Sequence, residues 1–199
     1  MTLKHPRQET YTPSEKSELR IAILRIGTVD KAVIQVVRNG LHKVFPKTVC
    51  TVVEEIMPIP QDAYSSTRKQ HNSSRILASM SDLVEDRNTE HVLGITDVDL
   101  YVPNLNFVFG EAECPGRFAI ISLSRLKPEF SGQPPNRTLF HERSVKEAIH
   151  ELGHTLGLHH CRYAKCVMFF SNSLLDTDRK GSTFCEKCYP LIVKHISAS

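Results

Sequence analysis

His150-Glu151-Leu152-Gly153-His154 sets two imidazoles four residues apart with a carboxylate beside the first. On a helix, residues i and i+4 lie one above the other, so both rings can reach a single metal ion. The glutamate then points toward the open side of that ion, where it can take a proton from water. Alone, this pattern arises by chance in roughly a few per cent of chains of this length. Its continuation narrows the reading. Gly157 follows His154 by three residues, where a helix can end through a left-handed residue that glycine adopts cheaply. A sharp turn there brings His160 back toward the same ion from outside the helix. His159 is also available, but the spacing favours His160, and His159 reads as a solvent-facing neighbour. Three protein ligands leave zinc a fourth position for water, which is the catalytic arrangement. The predicted chemistry is hydrolysis: water made acidic by zinc attacks a carbonyl, and Glu151 carries the proton to the leaving amine.

A second set of ligands lies close behind. Of the six cysteines, Cys50 and Cys114 stand alone, while Cys161, Cys166, Cys185 and Cys188 crowd the C-terminal fifth. Two cysteine pairs joined by an eighteen-residue loop have the spacing of a four-thiolate tetrahedral zinc site. Four ligands leave no open position, so this zinc is expected to be structural, stapling a segment short of core. A redox pair at Cys185 and Cys188, or an adventitious cluster, is the competing reading. Two zinc ions per chain are therefore expected, one catalytic and one structural. Cys161 directly follows His160, which couples the two sites mechanically.

These ligands need a scaffold, and the chain can supply one. Its 199 residues suffice for one domain with a real core, and 40% apolar against 24% charged residues is the mix of a globular protein. The net charge of +3 is mild and its basic residues are scattered, so neither nucleic acid nor membrane is expected as a partner. Residues 1–17 read as a flexible tail without a signal-peptide stretch. A cytoplasmic monomer is the expectation, in a compartment where clustered cysteines bind metal before they cross-link.

Leu19 to Ile26 reads as a buried strand ended by Gly27. Thr28 can cap a helix carrying Val33, Val37, Leu41 and Val44 up to Pro46. Thr48 to Ile56 is β-branched and reads as a strand; Ile76 to Val84 reads as a helix; His91 to Val102 as a third strand. Asn106 to Glu111 and Arg117 to Leu126 follow as strands, and Gly132 to Asn136 as an exposed loop. A long helix is predicted from about Arg143 to Leu156, with Val145, Ile149, Leu152 and Leu156 as its apolar stripe and the histidines on another face. The order argues for an α/β fold with a mixed, mostly parallel sheet. A single domain over 18–199 is expected, with a subdomain boundary after Gly157 separating 18–157 from 158–199.

His150 to Cys161, then Cys166, Met168, Cys185 and Cys188, resemble the signature of the archaemetzincins. Leu100-Tyr101-Val102 and Phe107-Val108-Phe109-Gly110 resemble that family's strands more weakly. The resemblance implies a metzincin-like twisted sheet with a backing helix, an active-site helix and a small C-terminal part. It implies catalytic zinc on His150, His154 and His160, Glu151 as general base, and a second zinc on the four cysteines. Met168 would be the methionine of the turn beneath the metal, packing rather than ligating. The sixteen-residue spacer before Cys185 is one shorter than the family pattern. Phe170 stands where some metzincins carry a tyrosine, so no hydroxyl from that position can stabilise the oxyanion. Such sites bind an extended peptide along an edge strand, and Asn106 to Glu111 is the candidate edge.

The function expected is a zinc-dependent metallopeptidase, an aminopeptidase on short peptides being one form, with a peptide or protein as substrate. The alternative is a zinc-stabilised peptide-binding or regulatory protein with little turnover; Glu151 weighs against it, because a pure binder has no use for a base there. A nucleic-acid-binding zinc ribbon is weaker still, since Asp176, Asp178 and Glu186 dilute the nearby lysines and arginines.

Overall fold

The computed structural model describes residues 18–45, 47–84 and 89–198; the tail expected over 1–17 and the proline expected to end the first helix lie outside them. The chain runs β1 (Leu19–Ile26), α1 (Lys31–Val44), β2 (Thr48–Met57), β3 (Tyr64–Ser65), β4 (Gln70–Asn72) and α2 (Ser73–Met80). It continues through β5 (His91–Thr96), β6 (Leu100–Tyr101), β7 (Gly110–Ala112), β8 (Phe118–Ser122), α3 (Arg137–Thr155), α4 (Leu174–Arg179) and α5 (Tyr189–Ala198).

β1, β5 and β8 are almost continuously buried, as strands covered on both faces must be. They form the centre of a five-stranded sheet in the order β2-β1-β5-β8-β7. All its pairings are parallel except β7 against β8, so the mixed, mostly parallel sheet is as expected. Val33, Val37 and Leu41 of α1 and Ile149 and Leu152 of α3 pack on one face with Ile21, Ile23, Leu93 and Ile121. Ile76, Leu77 and Met80 of α2 cover the other with Ala22, Leu24, Val92 and Ile120. Val167, Met168, Phe184 and Ile192 join the first of these clusters, so the segment beyond Gly157 packs on the same core as α3. No helix among the described residues is long and apolar enough to cross a membrane.

Several boundaries differ from the sequence reading, each for a local reason. Asp30, not Thr28, caps α1: its carboxylate accepts from the Ala32 amide at 2.9 Å. Gly27, at φ +69°, turns the chain out of β1, so Thr28 falls in the link. The third strand stops at Thr96 because Asp97 and Asp99 turn away to pair with Lys127 and Arg125 at 2.5 and 2.6 Å. α3 begins six residues earlier than Arg143, at Arg137, since Asn136 ends the proline-rich loop as an N-cap and accepts from the Leu139 amide at 3.0 Å. Its C-terminal half is largely buried, so His150 is covered as well as the apolar stripe, while His154 is half-buried.

His91, at the start of β5, is 6% exposed, and its Nδ1 has no hydrogen-bond partner. Burial, with His195 and Arg117 facing it, brings its pKa down to about 4. The folded state therefore holds the ring neutral while the unfolded chain protonates it near its ordinary 6.5. Its contribution to stability is complete above about 6.5 and is lost as pH falls toward 4. Between pH 7 and 5 this group costs about 2 kcal/mol. Urea unfolding at the two pH values is expected to show that much less pH dependence in His91→Gln than in wild type; identical dependence in both proteins rules His91 out as the group.

Candidate active site

α3 carries His150, Glu151 and His154, and Gly157 at φ +83° turns the chain beyond it. The Gly157 amide bonds the His154 carbonyl at 2.8 Å and the Leu158 amide that of Gly153 at 3.0 Å, closing the helix and sending His160 back over it. The rings of His150, His154 and His160 converge, each offering a nitrogen, and these nitrogens lie within 4.8 Å of one another. His159 does not join them; its Nδ1 lies 3.8 Å from Cys114 Sγ.

The protons on these rings can be placed. His150 Nδ1 is 2.8 Å from the Val167 carbonyl and His154 Nδ1 is 2.6 Å from that of Leu158. A carbonyl can only accept, so each Nδ1 carries the hydrogen and each Nε2 bears a lone pair. Those two Nε2 atoms face each other at 3.2 Å. Two bare acceptors at that distance repel unless a cation sits between them. Nitrogens bound at about 2.0–2.1 Å to a tetrahedral zinc stand about 3.3 Å apart, so the residues fit the ion. Burial, reinforced by Lys180, holds the His150 pKa well below the ordinary value. Burial also lowers His154, to about 4. Rings kept neutral are rings ready to ligate.

Glu151 is 5% exposed. Burial, and then the Glu147 carboxylate one turn away, push its pKa well above the usual range. It lines an open cleft of about 930 Å³ together with the three histidines, Glu111 and Phe170. A Cβ at Gly110 would lie 2.6 Å from a Glu151 carboxylate oxygen, so the edge strand approaches the carboxylate as closely as a bare backbone permits. Phe170 packs edge-on against His160 at 4.9 Å between ring centres, supporting this exposed imidazole where a hydroxyl could have stood. Met168 is fully buried and presses on Gly153 between the two helical histidines, where any side chain would collide with its sulfur.

The expected edge segment is corrected in extent. The ladder residues are Gly110–Ala112, at the outer edge of the sheet. The carbonyls of Leu105 and Asn106 are taken by Arg68 at 2.6 and 3.0 Å, and Gln70 also donates to Asn106 at 3.0 Å. Side chains thus hold the start of this segment, while Val108 forms an isolated antiparallel bridge with Leu100, its amide donating to the Leu100 carbonyl at 3.0 Å.

Cys161, Cys166, Cys185 and Cys188 also converge, their sulfurs within 4.8 Å of one another. Cys161 and Cys185 Sγ are 3.8 Å apart, against about 3.8 Å for thiolates bound at 2.3 Å to tetrahedral zinc. The amides of Tyr163 and Cys185 point at the sulfurs of Cys161 and Cys166, both at 3.4 Å, as donors that stabilise thiolates. Burial opposes ionisation of Cys185, but the amides of Cys188 and Lys187 outweigh it and bring its thiol to about 7. This donor set also fits zinc.

The model of peptidase family M54 matches residues 25–194. The chain belongs to that family, the archaemetzincins. The archaemetzincin of Methanocaldococcus jannaschii is 48% identical over 170 residues, covering 85% of this chain and 90% of its own. That of Pyrococcus abyssi is 43% identical over 182 residues, or 90% of this chain and 97% of its own. Among solved structures, the Methanopyrus kandleri archaemetzincin superposes with a TM-score of 0.78 at 33% identity, covering 93% of this chain and 99% of that one. The Archaeoglobus fulgidus archaemetzincin, solved with malonate, gives 0.73 at 37% identity over 86% of this chain and 99% of that one. The chain is a zinc metallopeptidase acting on peptides or proteins.

Sequence reasoning missed four contributors to this archaemetzincin site. The Val167 carbonyl, Gly153 as the seat of Met168, Gly110 against Glu151, and the buried Glu147–Lys180 pair were all unmarked. Only Gly153 carried a signal, a helix-weakening residue inside a helix.

Proposed function

We propose that His150, His154 and His160 hold a catalytic zinc, that Glu151 is the general base, and that the four cysteines hold a second, structural zinc. The observation that carries this reading is the pair of Nε2 lone pairs 3.2 Å apart beside a buried carboxylate. Zinc bound there supplies Lewis acidity, making water acidic near neutral pH and a carbonyl more electrophilic. The carbonyls of Val167 and Leu158 hold the first two rings in the required tautomer. Glu151 takes the proton of the attacking water and delivers it to the leaving amine. Gly110–Ala112 offers main-chain groups against which an extended peptide can lie. Gly157 serves as the helix-ending turn and Met168 as the packed floor.

The protein acts as an aminopeptidase on short peptides. Support comes from Glu111, whose carboxylate accepts from the Ser73 and Ser74 hydroxyls and lines the same cleft, adding negative charge where a terminal ammonium would sit. Elemental analysis is expected to give two zinc ions per chain, and mild chelation to remove one with loss of activity. Removal of both together argues against one open and one closed site. Blocking peptide N-termini by acetylation is expected to slow cleavage at least about tenfold; equal rates defeat the aminopeptidase reading while leaving an endopeptidase.

A further inference from the structure

Lys180 and Glu147 form an ion pair at 3.0 Å with side chains 0% and 3% exposed. The Thr177 hydroxyl donates to the same Glu147 oxygen at 3.0 Å, and the Lys180 ammonium reaches within 3.5 Å of His150 Nδ1. Stability alone is a weak reason for such a pair, because two buried charges generally gain little over an apolar pair of like volume. Its location is more telling. Glu147 precedes Glu151 by one helical turn on the same face, and both line the cleft. Lys180 enters from the segment between the cysteine pairs, held by its amide to the Asp176 carbonyl at 3.0 Å. In a low-dielectric site each of these charges acts strongly on whatever is left unpaired.

We infer that Lys180 is a positioning residue, and that its pairing with Glu147 commits both side chains to each other, so that neither bonds the Glu151 carboxylate and Glu151 stays free for proton transfer. Released from Lys180, the Glu147 carboxylate competes with Glu151 for the same corner of the cleft. Released from Glu147, the Lys180 ammonium turns to Glu151, on which it already acts electrostatically, and captures the base. The inference rests on Glu151 being that base.

The two single variants should therefore fail for opposite reasons and correct each other. Lys180→Met and Glu147→Gln, assayed well below their melting points, are each expected to lose at least about tenfold in kcat, with KM within about twofold of wild type. Zinc per chain should be unchanged, and Lys180→Arg should retain more activity than Lys180→Met. The double variant Glu147→Gln/Lys180→Met is expected to recover to within about threefold of wild type. A readout independent of turnover is the crystal structure of Glu147→Gln, in which Lys180 Nζ should lie within hydrogen-bond distance of Glu151.

Single variants that fold, keep zinc and turn over like wild type overturn the inference. So does a double variant no better than the worse single, zinc loss that accounts for the drop, or Lys180 still bound at position 147 in that crystal. Glu151→Gln separates the premise from the inference: if it alone leaves turnover intact, the general-base reading has failed, whatever the pair does.

Discussion

Glu151→Gln is expected to cleave peptides about 10³-fold more slowly than wild type while keeping its zinc and its fold. The substitution preserves volume, so the side chain still fits against Gly110, where a single added carbon would come within 2.6 Å of it. What changes is proton affinity: a carboxylate accepts a proton from water, and an amide at neutral pH does not. Removal of a positioned general base typically costs 10²–10⁴-fold, roughly 3–5 kcal/mol of barrier. Because the proton moves only as the transition state forms, the loss should appear in kcat with KM little altered. Elemental analysis of the same preparation separates this from metal loss. A digest of a peptide library in which the variant matches wild type would remove Glu151 from the chemistry and return the protein to the alternative of a zinc-stabilised binder.

How much of this was readable beforehand follows the distance along the chain over which each contact acts. The two helical histidines, Glu151, Gly157 and His160 fall within eleven residues, and helix geometry with one left-handed glycine turn brings them together. The cysteines were legible for a different reason: thiolates in paired spacing have few other uses in a small globular segment. The central strands were legible because burial on both faces leaves unbroken apolar runs. The contacts that tune the site were not. Val167 reaches His150 across 17 residues, and Lys180 and Thr177 reach α3 across 30 or more. Nothing in the local pattern of Lys180 distinguishes a fully buried ammonium from a solvated one. Asn106 and Phe107 fall outside any strand although their alternation suits one, because the guanidinium that holds the Leu105 and Asn106 carbonyls sits at Arg68, far upstream. Backbone approach decided the glycines: Gly153 and Gly110 look like ordinary weak points until Met168 and Glu151 are seen against them.

The second large effect is expected at the cysteines. Cys188→Ser removes one of four sulfurs that lie within 4.8 Å of one another, and a hydroxyl is a poor substitute for a thiolate on zinc. Structural zinc contributes about 10–16 kcal/mol of apparent binding energy in small zinc-folded peptides. Here the segment is also anchored by Val167, Met168, Phe184 and Ile192 in the main core, so only part of that is expected to be lost. A loss of about 4 kcal/mol would lower the melting temperature by about 10 °C in a domain of this size. The damage should not stop at the knot. Val167, whose carbonyl holds His150, is bonded to Cys166, and the Cys161 amide ties the residue after His160 to the Met168 carbonyl at 2.8 Å. Loosening the cysteines therefore loosens two of the three imidazoles, and the catalytic ion should leave more readily under mild chelation than it does from wild type. Thermal melting together with zinc content before and after chelation reads both effects. A variant that melts like wild type, or gives up its remaining zinc no faster, would mean that the cysteines neither staple the fold nor support the histidines.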